Sequence, residues 1–451
     1  MDERFDIAVV GAGPAGEAAT HYARGRGASV AVIDRELFGG SCPFWACMPS
    51  KALLHAAAVH HAGGAYPWPR ASDFRDYMIN RQGTDWPSDH GHVASLEGAG
   101  ATVIRGEAAF VGPGRLRIGT DDGAREVAAG AVILAVGSVP RIPDLPGLDA
   151  AGAWTNREAT ASRELPRSLL VLGGGPSGVE LAQVYARYGV PVTIVHPRDH
   201  LNDRDHPRSS EHLADGLRRD GVTLRLGLRA TRVRPRAGAD DAHAVDLSDG
   251  SAVEAHVILL AIGRDLPLDR LGLDAIGVTA ERGRLAVDDR LRVTDGVWAA
   301  GDVAGPELHT HLAHYSGEMA ARQALGDDVA PFWDAIPRAT YTDPETASVG
   351  LLVEQARERG IDAVELTEDV ATSSKGYTSE SSGHVTIVVD RANRVLVGAF
   401  MAGPAVSEAI HECVLAVRAR VPLDVLADTI HAFPTLARVT GGLFVRAARE
   451  L

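Results

Sequence analysis

Ile7-Ala8-Val9-Val10-Gly11-Ala12-Gly13-Pro14-Ala15-Gly16 lies near the start of the chain, and its reading decides the fold. An apolar run of strand formers enters glycines in G-x-G-x-x-G spacing, and a stretch suited to a helix follows. A second strand, Ser29-Val30-Ala31-Val32-Ile33, ends at Asp34. Strand, glycine turn, helix, strand and acid in this order make a dinucleotide-binding unit. Gly11 permits the tight turn, Gly13 lets a pyrophosphate approach the backbone, and Gly16 allows close helix–strand packing. Phosphates meet the N–H groups at the helix start, and Asp34 accepts hydrogen bonds from an adenosine ribose.

The unit recurs. Leu169-Leu170-Val171-Leu172 leads into Gly173-Gly174-Gly175-Pro176-Ser177-Gly178, a helix over 179–188, and a strand over 192–195. Gly173, Gly175 and Gly178 take the same three places. Here the strand runs into His196-Pro197-Arg198 in place of an acid. An acid bonds a free 2′-hydroxyl, whereas basic groups suit a 2′-phosphate, so His196 and Arg198 point to NADPH, with NADH also possible. Gly178 as third glycine is more usual for NADH, but the phosphate charge must be neutralised, and the basic pair weighs more. Each unit is followed by a strand returning to its sheet and ending at a glycine, Gly137 and Gly263 respectively. Val297-Trp298-Ala299-Ala300 then delivers Gly301-Asp302 to the start of a helix, where a carboxylate either holds a polyol chain or caps the helix. From about 331 the texture changes to alternating strands, then helices near 406–419 and 422–430, which predicts a separate α+β domain.

The bulk numbers narrow the function. The chain has 451 residues, 45% hydrophobic and 23% charged, as expected of a soluble globular protein of about three domains. No apolar run reaches the roughly 18 residues that span a bilayer, and the N-terminus shows no signal-peptide pattern. A net charge of −14 argues against nucleic acid and anionic membrane as partners. Three cysteines in a chain this long fit a reducing, cytoplasmic setting rather than a disulfide framework.

Two of those cysteines, Cys42 and Cys47, stand in Gly39-Gly40-Ser41-Cys42-Pro43-Phe44-Trp45-Ala46-Cys47-Met48-Pro49-Ser50-Lys51. A potential disulfide beside a dinucleotide turn is a place where two electrons can pass to sulfur, and Gly40 and Ser41 join the candidate cofactor contacts. Lys51 and Lys375 are the only lysines among 45 basic residues. Arginine cannot replace a compact ammonium in a tight site, which singles out Lys51.

Taken together, these residues resemble the flavin-dependent pyridine nucleotide–disulfide oxidoreductases, the family of lipoamide dehydrogenase, glutathione reductase and mercuric reductase. The resemblance covers essentially the full length. It implies an α/β fold of two Rossmann-like dinucleotide-binding domains, the second inserted in the first, plus a C-terminal α+β dimerisation domain. By that pattern 1–150 and 265–330 bind FAD, 151–264 bind NAD(P), and 331–451 form the interface of a homodimer. Cys47 would be the flavin-proximal sulfur and Cys42 the one that attacks substrate. Lys51, paired with Glu180, would stabilise the reduced flavin. Asp302 would hold the ribityl chain, and His314 would lie on the helix facing the flavin pyrimidine edge.

The pattern breaks near the C-terminus. Family disulfide reductases have a His-Pro-Thr segment with a glutamate five residues after the histidine. Here the run is His431-Ala432-Phe433-Pro434-Thr435-Leu436-Ala437-Arg438, with Phe433 and Arg438 in the two places. Losing a positioned acid–base group removes about 10²–10⁴ in rate, so lipoamide and glutathione disulfide are poor substrate candidates unless His431 serves instead. The bulky spacer Phe44-Trp45 is either an apolar wall near Cys42 or simple packing. The expected activity is NAD(P)H-dependent reduction, through FAD and the Cys42–Cys47 disulfide, of a disulfide or other electrophilic small-molecule acceptor. A diaphorase acting from reduced FAD and a non-catalytic flavoprotein subunit are the alternatives.

Overall fold

The computed structural model describes residues 3–84, 86–238 and 241–451, in two compact units. The first comprises Met1–Ala52, Ser72–Arg141 and Gly263–Phe332. Its parallel sheet runs, in spatial order, Val297–Ala299, Gly123–Leu134, Glu3–Val10, Val30–Asp34 and Thr102–Arg105. Arg292–Thr294 pairs antiparallel at the outer edge. Glu107–Gly112 and Arg115–Thr120 form an antiparallel meander with the long strand Gly123–Leu134. The central strands are apolar on both faces, as a sheet covered on each side requires.

The helix Pro14–Gly25 follows the first glycine turn and packs against Thr310–Ala324. Gly317 makes that approach possible, since a Cβ there would lie 2.1 Å from the Ala15 carbonyl oxygen.

The second unit comprises Leu53–Ala71, Ile142–Ile262 and Trp333–Leu451. Its parallel sheet is ordered Thr223–Leu226, Val192–His196, Leu169–Leu172, Val257–Leu260. A small antiparallel meander accompanies it. Pro176–Arg187 follows the second glycine turn and is buried along most of its length, with Tyr185 and Val179 in the core beside Leu53, Ala57 and Trp68.

The C-terminal part of this unit is a five-stranded antiparallel sheet, ordered Arg338–Thr340, Glu345–Gly350, Val395–Gly403, His384–Asp390, Ala363–Asp369. The helix expected over 406–419 is interrupted at Ile410, giving Val406–Ala409 and His411–Ala419. The next is a short Leu423–Ala427. A further helix, Leu436–Glu450, buries Leu436, Val439, Leu443, Phe444 and Ala447 against the sheet.

Candidate active site

The first glycine turn is built as its sequence demands. Gly11 has φ +100° and packs so tightly that a Cβ would come 2.3 Å from the Ala135 oxygen. A Cβ on Gly13, by contrast, would meet only Gly40 Cα, at 3.8 Å. Asp34 Oδ2 accepts the Ala12 N–H at 2.7 Å and Oδ1 accepts the Glu36 N–H at 2.9 Å. A shallow cleft of about 70 Å³ lies here, lined by Gly11, Asp34, Glu107, Val136, Arg270 and Leu271 among others. Its mixed apolar and polar walls, with the Asp34 carboxylate beside the glycine turn, are the chemistry an adenosine ribose needs, so the residues present fit a dinucleotide such as FAD.

Asp302 does not cap a long helix. Gly301–Val303 is a single 3₁₀ turn, and the long helix starts only at Thr310. The Asp302 carboxylate accepts the Ser138 hydroxyl, and Arg264 donates to that hydroxyl and to the Ser138 carbonyl, both at 2.6 Å. The Gly301 N–H is held by Ser316 Oγ at 2.8 Å, which ties this turn to the helix carrying His314. His314 itself is exposed. Gly137 has φ +63° and Gly263 has φ +119°. The strand ends beside them are joined by the short antiparallel pair Val139–Pro140 and Arg264–Asp265.

Both cysteines sit at helix starts. Gly40 precedes the short helix Ser41–Trp45, the chain bends at Ala46, and Cys47 begins Cys47–His61. Lys51 follows one turn later on the same helix. Cys42 and Cys47 are thiols hydrogen-bonded to each other. That bond, then burial, pushes the Cys42 thiol far above the ordinary thiol range. The arrangement therefore favours a single negative charge on the pair. Thr310 Oγ1 lies 3.3 Å from Cys47 Sγ, and its hydroxyl also bonds Cys42, which opposes the upward shift.

Sequence reasoning missed Thr310. Its one signal was its place at the head of the helix that bears His314. The spacer residues turn inward. Phe44 packs edge-on to His92 with centroids 5.5 Å apart, and Trp45 does the same to Trp86 at 5.1 Å. Both rings are buried, so packing accounts for their bulk.

The second turn repeats the first. Gly173 has φ +113°, with a Cβ position 2.2 Å from the Ala261 oxygen, while Gly175 has nothing within 4 Å. Gly178 packs on Gly173. The charge expected of His196 is corrected by its surroundings. His196 is buried, its Nδ1 accepts the Gly174 N–H at 3.0 Å, and burial lowers its pKa. It is a neutral ring. Positive charge at this strand end comes from the exposed Arg198, which is 3.5 Å from Asp203. Glu180 is buried, with Oε1 accepting the Tyr341 N–H at 3.0 Å.

His431 has a buried side chain paired with a carboxylate. Its Nε2 is 2.7 Å from Glu412 Oε1, its side chain is 5% exposed, and its ring packs against Gly441. Phe433 is 72% exposed and Ile430 is 97% exposed. Among the described residues no group of three or more His, Cys, Asp or Glu side chains could hold a metal ion, and no helix is long and apolar enough to cross a membrane.

Two dinucleotide turns and a dithiol define a flavin-dependent NAD(P)H oxidoreductase of the disulfide type. Residues 5–320 match the pyridine nucleotide-disulphide oxidoreductase family and residues 336–442 match its dimerisation domain. The chain belongs to this family. It is 34% identical to a dihydrolipoyl dehydrogenase of Chlorobaculum tepidum, over 96% of this chain and 95% of the relative. It is 32% identical to a mercuric reductase of Streptomyces lividans, over 96% and 94%. Among solved structures, LpdA from Mycobacterium tuberculosis aligns with TM-score 0.86 and 29% identity, covering 98% of this chain and 99% of that one. The Cu(II) complex of the HOCl-induced flavoprotein disulfide reductase RclA from Escherichia coli aligns with TM-score 0.88 and 25% identity, covering 99% and 100%.

Proposed function

We propose that this chain takes two electrons from NADPH and delivers them, through the Cys42–Cys47 disulfide, to an electrophilic small molecule. The observation that carries this reading is the hydrogen-bonded cysteine pair resting on Thr310. Bound FAD supplies the two-electron relay between nicotinamide and sulfur. Gly11 and Gly13 present backbone to its pyrophosphate, Asp34 takes its ribose, and Gly40, Ser41, Gly137, Gly263 and His314 line its course. Asp302, oriented by Ser138 and Arg264, takes the polyol hydroxyls. Lys51 supplies a compact positive charge beside the reduced ring system, with Glu180 proposed as its countercharge. Gly173, Gly175 and Gly178 take the nicotinamide nucleotide, and Arg198 favours the 2′-phosphate of NADPH over NADH.

Reduction of the disulfide leaves a thiol on Cys42 and a thiolate on Cys47. Cys42 then attacks the acceptor as it loses its proton, and Cys47 displaces the reduced product and restores the disulfide. With Phe433 in the place of the base and the His431 side chain buried against Glu412 and Gly441, the proposed acceptor is one electrophilic enough to react with a poorly activated thiol. The protein is proposed to act as a cytoplasmic homodimer. In an anaerobic titration, one equivalent of NADPH should give a long-wavelength band from the Cys47 thiolate. Cys42→Ser should keep nicotinamide oxidation and abolish reduction of thiol-reactive acceptors. Undiminished acceptor reduction by Cys42→Ser would refute the sulfur route.

The exposed Phe433 and the sequestered His431 favour a second reading, in which quinones take electrons without the sulfurs. It requires that Cys42→Ser/Cys47→Ser keep the full quinone reductase rate.

A further inference from the structure

The two glycine turns are closed by different side chains in the same place. In the first, Asp34 Oδ2 accepts the Ala12 N–H at 2.7 Å; in the second, His196 Nδ1 accepts the Gly174 N–H at 3.0 Å. Ala12 and Gly174 both follow the first glycine of their turn. The histidine thus does the acid's structural work, but with opposite capacity at its far edge. A ring nitrogen that accepts carries no proton, so the proton of the neutral imidazole is on Nε2. A carboxylate in this position offers a second acceptor; His196 offers a donor.

That donor is buried on a residue only 8% exposed, and it has no hydrogen-bond partner among the described residues. A buried donor without an acceptor is unfavourable in a native fold and calls for a partner. The ring is also fixed. Gly174 lies so close that a Cβ there would come 2.9 Å from His196 Cγ and 2.6 Å from Leu201 Cδ2.

We propose that His196 is a neutral hydrogen-bond donor to the 2′ position of the nicotinamide nucleotide's adenosine ribose, so that the second unit accepts both the 2′-hydroxyl and the 2′-phosphate form. This rests on the reading that the second unit binds a nicotinamide nucleotide. A carboxylate accepts from the hydroxyl and repels the phosphate, which is how an acid selects NADH. An N–H bonds either oxygen. Arg198 then adds affinity for the phosphate without excluding the hydroxyl. The charged groups facing His196 are Asp203, which favours a second proton, and His200 and Arg198, which oppose it; burial opposes it most. A proton on Nδ1 would also break the bond to Gly174.

The test uses the FAD-loaded protein with adenosine 5′-monophosphate and adenosine 2′,5′-bisphosphate as probes, followed by calorimetry and by NMR of ¹⁵N-labelled histidine. His196 should titrate below an ordinary histidine, as the neutral Nε2–H form, and its Nε2 signal should move with either probe. His196→Asp should weaken the bisphosphate by at least about tenfold and spare the monophosphate, while His196→Gln, which keeps a donor and an acceptor, should hold both within about threefold. A His196 that titrates near the ordinary value, with bisphosphate affinity rising in step, overturns the assignment. So does an unchanged probe ratio in His196→Asp while NADPH and NADH still reduce the flavin. Should neither probe nor either nicotinamide nucleotide bind, the reading of the second unit falls, and the role of His196 with it.

Discussion

Thr310 is the side chain that touches both sulfurs. Its hydroxyl touches Cys47 and bonds Cys42, and a hydrogen bond to a charged sulfur is worth about 1.5–3 kcal/mol. Thr310→Val keeps the shape and removes the bond. The first ionisation of the reduced pair should then move up by roughly one unit or more, read from thiolate absorbance in the far ultraviolet. No change would mean that the hydroxyl is only a packing neighbour. Thr310 also shows where sequence reading stops. The cysteines, Lys51 and the glycines announce themselves by spacing within a few residues. Thr310 acts on residues far away in the chain, and only the folded sheet brings it to them. His196 was legible as a position but not as a charge state, because its neutrality comes from burial and from the Gly174 N–H. Fixing Phe44 and Trp45 as packing residues likewise needed their partners, His92 and Trp86.

Among the elements, the pair Pro14–Gly25 and Thr310–Ala324 positions this site. Their closest point is Gly317 over Ala15, where a Cβ has no room. Gly317→Val should push the helices apart, costing about 1–3 kcal/mol or more for an overpacked contact. It should also loosen flavin retention, since the same helix holds Gly301 through Ser316. Urea unfolding and the flavin content of purified protein would check both. Both glycine turns and their sheets could be foreseen because each is a local motif with a fixed order. The C-terminal helices were less legible. One breaks at Ile410, and Leu436–Glu450 forms a helix beyond those expected from the sequence, its buried residues at helical spacing.

For the whole molecule, acid stability is governed in part by the C-terminal sheet. His384 is buried, bonded to Ser209 and Thr386, and faces His206 and His212. Burial first, then the charges of His206, His212 and Arg208, push its pKa down to about 3. The native state therefore needs a neutral ring, whereas the unfolded chain binds a proton near 6.5. The resulting stability is fully present above about pH 6.5 and is lost as pH falls toward 3. At about 1.4 kcal/mol per unit, the contribution is on the order of several kcal/mol. Urea unfolding across this range should show a slope that His384→Gln flattens; an equal slope in the variant would place the acid sensitivity elsewhere.

The order of strands in the first sheet also constrains how the protein is made. Val297–Ala299 pairs with Gly123–Leu134, but the entire second parallel sheet, Leu169 to Leu260, lies between them in the chain. On the ribosome, which adds about 5–20 residues per second, that later sheet is complete while the earlier one still lacks a strand. The nascent chain must hold its N-terminal strands for that interval without their last neighbour. A chain truncated before residue 297 should therefore expose an unfinished sheet edge to chaperones however sound its first glycine turn.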